Sequence, residues 1–329
     1  MLGMGPPDQS PFRKLPGVRV MVRSAVVVAA VVLAVVAVLT PHLGNVWSLA
    51  LLTALPVFLV LGIGSQGFRF LRWHVLVTRC VPKLRIADSM RIYITGFALE
   101  LTPGRLGAFL KFSLLRQTTG IPEADTVAVL PVEAAAEVAS FLLVALVGAA
   151  AGSYALPRIG WGILATLVIL LAIVVLSPSR HRLPDWRGPT WLLDHVPALR
   201  SMLRGLLQVG GPLPVAAALG CALAARGCEV VLFSTAAHSV GLTLSPAGTL
   251  LAWGTSGLAG GISLLPGGVG AAEGAVVATV VSLGGQAPLA LAAALVTRVM
   301  TLWLWIPVGL VCALVSTRPR AADSTAGAD

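Results

Sequence analysis

Charge is scarce in this chain. Only 11% of its 329 residues are Asp, Glu, Lys or Arg, against about 25% in an ordinary soluble domain. With 57% hydrophobic residues, a water-soluble fold could not cover the apolar surface, so the surrounding solvent is lipid. Histidine is also sparse: His42, His74, His181, His195 and His238 are scattered, with no H-E-x-x-H and no D-D-x-x-D-type cluster. That leaves a metal-dependent lipid enzyme without ligands, and no catalytic residue, metal or cofactor is expected. No nucleotide-binding motif is present, so ATP is not the expected drive. The four cysteines, Cys80, Cys221, Cys228 and Cys312, lack metal-ligand spacing and read as small buried hydrophobes. The net charge is +10, yet no stretch joins a basic face to a soluble fold, so nucleic acid is not an expected partner. Most Arg and Lys lie between apolar runs, where they set topology and meet anionic lipid.

What the chain has in abundance is apolar length. Runs long enough to span a bilayer occur at 24–42, 47–68, 124–151, 158–177, 212–237 and 287–315. Two further stretches, 88–116 and 247–283, are interrupted by Leu101-Thr102-Pro103-Gly104-Arg105-Leu106-Gly107 and by Leu264-Leu265-Pro266-Gly267-Gly268-Val269-Gly270. Both fit L-x-P-G-x-[LV]-G. Proline removes a helical hydrogen bond and glycine permits a sharp turn, so each stretch should form two half-helices. The expected breaks are Pro103, Gly104 and Gly107 in the first, and Pro266, Gly267, Gly268 and Gly270 in the second.

The basic segments decide how these stretches sit. If both broken stretches are re-entrant, every basic segment falls on the cytoplasmic side, including Arg69, Arg72 and Arg79 after the second span. The expected fold is all-α and polytopic: six full spans plus two re-entrant hairpins in an inverted repeat, eight apolar segments in all. A cytoplasmic tail (1–20) precedes one membrane domain (21–315), with pseudo-repeats at 21–151 and 158–315. A cytoplasmic amphipathic segment lies at 185–208, where Leu192, Val196, Leu199, Leu203 and Leu206 form a helical stripe. The C-terminal tail (316–329) is expected to be disordered. Paired broken segments in corresponding positions point to a transporter's binding site near the midplane.

An ionisable group at the bilayer centre costs at least about 2.5–3.5 kcal/mol, so each one calls for a partner or a wet cavity. The first half places Glu100, Arg105, Lys111, Glu133 and Glu137 in apolar surroundings; the second places Arg226, Glu229, Glu273 and Arg298 there. Glu133 lies thirteen residues beyond Gly120 and Arg298 thirteen beyond Gly285, so equivalent positions carry opposite signs. The expected pairs are Lys111 with Glu133 and Glu273 with Arg298. Glu133 and Glu137, at i and i+4, share a helix face and need a cation or proton between them. Arg226 and Glu229, at i and i+3, can satisfy each other and read as a structural pair. The helices after Gly104 and Gly267 begin inside the protein, where free N–H groups favour an anion such as phosphate.

Gly96-Phe97-Ala98-Leu99-Glu100-Leu101-Thr102-Pro103-Gly104-Arg105-Leu106-Gly107, continuing to Lys111, resembles the first signature of the flippase-like transmembrane family named for the membrane domain of lysylphosphatidylglycerol synthase. Leu264 to Gly270, followed by Glu273, resembles the second, and Arg72-Trp73 and Arg298 also match. The likeness covers roughly residues 20–315. It implies movement of amphipathic lipids, such as aminoacylated phosphatidylglycerol or lipid-linked sugars, between leaflets of a bacterial cytoplasmic membrane. Two of the family's usual cations are replaced, by Ala134 after Glu133 and by Ala272 before Glu273, and Glu137 stands where the family has Asp. The family's aminoacyl-transfer domain is not in this sequence, so lysyl transfer is not expected of it.

The function expected is therefore a lipid translocase without ATP. Arg105, Lys111 and Arg298 would contact phosphate; Glu133, Glu137 and Glu273 would balance those cations, meet a cationic headgroup or carry protons. The alternatives are a non-transporting scaffold for cell-envelope lipid or glycan assembly and, less favoured, a membrane enzyme acting on lipid. Expected partners are membrane lipids with an anionic or polyprenyl-phosphate headgroup, and lipid-synthesising or glycosyltransferase proteins.

Overall fold

A computed structural model describes residues 49–100, 106–152, 209, 211–263 and 265–316. Its regular structure is helical, with no strand among the described residues. Two helices open it, α1 (Leu49–Thr53) and α2 (Leu55–Cys80). α3 (Ile86–Gly96) runs into a 3₁₀ turn at Phe97–Leu99 and is followed by α4 (Leu106–Thr119), α5 (Glu123–Thr126) and α6 (Val129–Ala151). The second half contains α7 (Pro212–Ser239), α8 (Pro246–Ile262), a 3₁₀ turn (Pro266–Gly268) and α9 (Ala271–Ser282). α10 (Ala287–Arg298) passes through a π turn (Val299–Trp303) into α11 (Trp305–Ser316). The runs at 24–42 and 158–177, the segment 185–208, the N-terminal tail and the tail beyond Ser316 lie outside the described residues.

Among the described residues, three stretches are long and apolar enough to cross a membrane: Val129–Ala151, Leu213–Ser239 and Ala287–Val315. Even the shortest, 23 residues, reaches about 34 Å at 1.5 Å per residue, enough for a hydrocarbon core. Their outward positions, among them Val147, Val231 and Val311, are exposed and apolar, as a lipid-facing surface requires. These helices are those of a multi-pass membrane protein.

Helix α2 corrects the sequence reading. The run at 47–68 does not end where its apolar residues end but continues as helix to Cys80. Arg69 and Arg72 therefore lie inside a 26-residue helix and not in an inter-span basic segment. Their face also carries Ser65, Gln66 and Trp73, all buried, whereas Val60 and Ile63 on the opposite face are exposed. The polar positions 65, 66, 69 and 72 recur at helical spacing, a stripe that faces inward.

Each interrupted stretch contains two helices. In the first, α3 and its 3₁₀ turn stop at Leu99, α4 starts at Leu106, and the two arms pack together. Gly107 is buried, and a Cβ there would overlap the carbonyl oxygen of Gly96. Pro103 and Gly104 lie outside the described residues. In the second, α8 and α9 are joined by a turn with Gly267, Gly268 and Gly270 at φ of 60°, 68° and 87°. Those left-handed values explain the three glycines, since other side chains strain there. A Cβ on Gly268 would meet Gly260 Cα at 2.9 Å, so the arms of this hairpin also close glycine against glycine.

The halves exchange partners. α2 packs along α7, α3 packs on α11, and α8 packs on α6. The first arm of each hairpin thus lies against the closing helix of the other half. Small residues allow it: Gly148 and Gly254 bring α6 against α8, and Gly309 brings α11 against the backbone of Ile94 and Ala98. Apolar clusters around Trp73, Phe112 and Leu115, and around Phe58, Phe233 and Trp253, flank a polar interior.

Candidate functional site

The charged side chains of four helices meet in that interior. Helix α6 contributes Glu133 and Glu137, one turn apart on one face. Three arginines reach Glu137: Arg69 from α2 at 3.2 Å, Arg226 from α7 at 3.2 Å, and Arg72 from α2, whose Nη1 donates to Oε2. Arg72 also lies 3.7 Å from Glu133, so it is the cation that the two stacked carboxylates require. Lys111 on α4 donates to Glu133 at 3.3 Å, as the sequence spacing predicts. Its ammonium stands 4.3 Å from the centre of the Trp73 ring, a cation–π contact that holds it in an apolar wall.

Glu229 on α7 is the most fully satisfied member. It accepts from Ser65 Oγ at 2.8 Å, Arg69 Nη2 at 2.8 Å, Trp253 Nε1 at 3.0 Å, and Arg226 Nη1. Arg226 and Glu229 do pair, but they are not self-contained: Arg226 also bonds Glu137 across 89 residues of sequence. Linked in this way, four cations (Arg69, Arg72, Lys111, Arg226) face three carboxylates (Glu133, Glu137, Glu229). Burying each ion costs several kcal/mol, and only the full set of partners offsets this, so the members act as a unit.

The second hairpin carries its own pair. Arg298 Nε donates to Glu273 Oε1 at 2.9 Å, again as the spacing predicts. The remaining Glu273 oxygen accepts the Gly270 N–H at 2.7 Å, and Arg298 Nη2 donates to the Gly267 carbonyl. The start of α9 therefore already holds an anion, the chain's own carboxylate, and this pair clamps the turn. At the first hairpin, Arg105 lies outside the described residues.

A cavity of about 500 Å³ joins these parts. Glu100, Gly107 and Lys111 line it from the first hairpin; Gly260, Gly267 and Gly268 line it from the second. Glu133, Glu137, Arg298 and the α2 and α7 charges complete it, while Glu273 sits behind at 5% exposure. Phe109, Val138 and Leu265, all exposed, carry its lining out to the apolar surface.

A family model for the lysylphosphatidylglycerol synthase TM region matches residues 20–309. The chain belongs to that family. No curated protein and no solved structure matches it. The lysylphosphatidylglycerol synthase TM-region match spans every charge of the cluster and both hairpins. Within it, sequence reasoning found Lys111, Glu133, Glu137, Glu273 and Arg298. It placed Arg69 and Arg72 in an inter-span basic segment, read Arg226 and Glu229 as an isolated pair, and passed over Gln66, Tyr93 and Trp253. Tyr93 donates to Gln66 Oε1 at 3.0 Å, and Gln66 Nε2 in turn donates to the Thr301 carbonyl at the π turn. The helical stripe on α2 is the signal that could have found Arg69.

Proposed function

We propose that this chain is a lipid translocase that moves a phospholipid or lipid-linked phosphate or sugar between leaflets without ATP. The observation that carries the reading is the cavity of about 500 Å³, bounded by both broken helices and walled by buried charge. That volume suits a polar headgroup, and the apolar lining at Phe109, Val138 and Leu265 suits acyl chains that remain in lipid. The exchange of first arms between halves suits an inverted repeat with re-entrant hairpins, a construction that sets a binding site at the repeat interface. In this reading Arg105 and Lys111 meet the headgroup phosphate, Glu133 and Glu137 balance the site, and Glu273 with Arg298 fixes the wall.

The protein moves its substrate and does not transform it. It sits in a bacterial cytoplasmic membrane with both termini inside, where the flanking basic segments favour them, and its partners are the enzymes that make or consume the lipid. The test is dithionite quenching of a fluorescent phosphatidylglycerol in proteoliposomes without nucleotide. The wild type should accelerate leaflet exchange, and Lys111→Ala and Arg105→Ala should each lose at least about tenfold. No acceleration for phosphatidylglycerol, aminoacylated phosphatidylglycerol or a polyprenyl phosphate, with folded protein, would favour the scaffold for envelope assembly instead.

A further inference from the structure

Three guanidinium groups converge on one carboxylate at Glu137, and each still holds an unused donor. Arg69 Nε, Arg72 Nε and Arg226 Nε are buried and have no hydrogen-bond partner among the described residues. Arg72 is 4% exposed and Arg226 is fully buried, yet all three arginines and Glu137 line the cavity. Unpaired buried donors are expensive, so three on one wall mark a site built for more acceptor atoms than it now has. A carboxylate offers two oxygens. A phosphodiester also carries one negative charge but offers further oxygens around a tetrahedral centre, a better match to three converging arginines.

We propose that Arg69, Arg72 and Arg226 form an oxyanion site for the phosphodiester of the headgroup, and that Glu137 is its resident occupant, displaced when lipid arrives. This rests on the translocase reading for the lipid but not for the anion. It adds these three arginines to Lys111, which lines the same cavity, as the groups that meet the headgroup. The exchange replaces one anion by another, so the arginines never stand unpaired. The displaced carboxylate does lose its cations, and a buried carboxylate without one is best accommodated as the acid. Each bound phosphodiester therefore brings one proton with it.

The groups facing Glu137 are Arg69 and Arg72 from α2, Arg226 and Glu229 from α7, and Glu133 on its own helix. Lys111 from α4 reaches the cluster through Glu133, and Tyr93 from α3 lies close enough to interact with Glu137 and Arg69. From α8 the neighbouring polar side chain is Trp253, bonded to Glu229. Glu133 keeps Lys111 when Glu137 leaves, and Glu229 keeps Ser65 and Trp253, so Glu137 is the member that takes the proton.

The experiment uses the full chain in detergent with two probes that keep one charge at these pH values: dimethyl phosphate, and short-chain phosphatidylglycerol, which adds the lipid. Binding to the wild type should weaken by up to about tenfold for each pH unit between about pH 5.5 and 7.5. Calorimetry in two buffers of different ionisation enthalpy should show proton uptake. Glu137→Gln removes the competing charge, so it should bind at least about tenfold tighter with no pH dependence. Its thermal stability should depend on added phosphodiester far more than that of the wild type. Glu133→Gln should retain the pH dependence. Stabilisation by both probes places recognition in the phosphodiester itself; stabilisation by the lipid alone adds a requirement for the chains. Wild-type binding of both probes that is absent, or flat in pH without proton uptake, overturns the proposal even if Glu137→Gln does not fold. Absent leaflet movement with intact linkage would remove the translocase reading and leave the anion site standing.

Discussion

Glu229→Ala is expected to lower the stability of the solubilised chain by about 3–5 kcal/mol, or to abolish its folding, because it strips the partner from buried cations. The carboxylate is 1% exposed and accepts four donors: the Ser65 hydroxyl, two arginines and the Trp253 indole. Alanine leaves all four without that acceptor, and the linked network falls to two carboxylates against four cations. No other carboxylate is free to compensate: Glu137 already serves three arginines and Glu133 is held by Lys111 and Arg72. The same change at Glu123 is the contrast. Its pair with Arg116 is 3.8 Å long and largely exposed, so Glu123→Ala should cost less than about 1 kcal/mol. Thermal melting followed by size-exclusion chromatography reads both; equal effects would mean that the buried network does not hold the helices together.

Gly268→Val is expected to have a comparable effect by a different route. At φ 68° a side chain is strained, and a Cβ would meet the Gly260 backbone at 2.9–3.0 Å, where no flexible group can yield. Strain alone is worth about 1–3 kcal/mol, and the collision adds to it by pushing α8 from the turn. Gly270→Ala separates the two terms. Its φ is 87°, but the space around its Cβ is open, so only the strain remains and the Glu273 bond to its N–H survives. The valine variant should lose folded protein in detergent while the alanine variant stays folded with a lower melting temperature. If both behaved alike, close approach of the hairpin arms would not govern the fold.

The sequence made the local logic readable. Proline and glycine at 266–270 announced the turn between α8 and α9, and spacing from the motifs gave Lys111 with Glu133 and Glu273 with Arg298. Each of those pairs joins a hairpin arm to the helix that follows it, so its partners lie near in sequence. The rest depends on α2 crossing α7 and α8 lying along α6. Arg69 to Glu229 spans 160 residues, and no periodicity reports which helices cross. Arg69 and Arg72 were misread for a further reason: a helix that carries charge past the end of its apolar run looks like a span followed by a basic loop. Only the stripe at 65, 66, 69 and 72 distinguishes the two. Arg226 and Glu229 satisfied the local i, i+3 rule, and that concealed their long-range partners.

The most direct measurement of the central claim is photolabelling of the reconstituted chain with a phosphatidylglycerol that carries a photoactivatable group on its headgroup. Labelled peptides are then mapped by mass spectrometry, with and without excess unlabelled lipid. The account predicts competed labels on α4, on α6 near Glu133 and Glu137, and around the Gly260–Gly268 turn, where both hairpins face the cavity. Labels confined to the lipid-facing surface, such as Val60 and Ile63 of α2, and unchanged by competitor would contradict it.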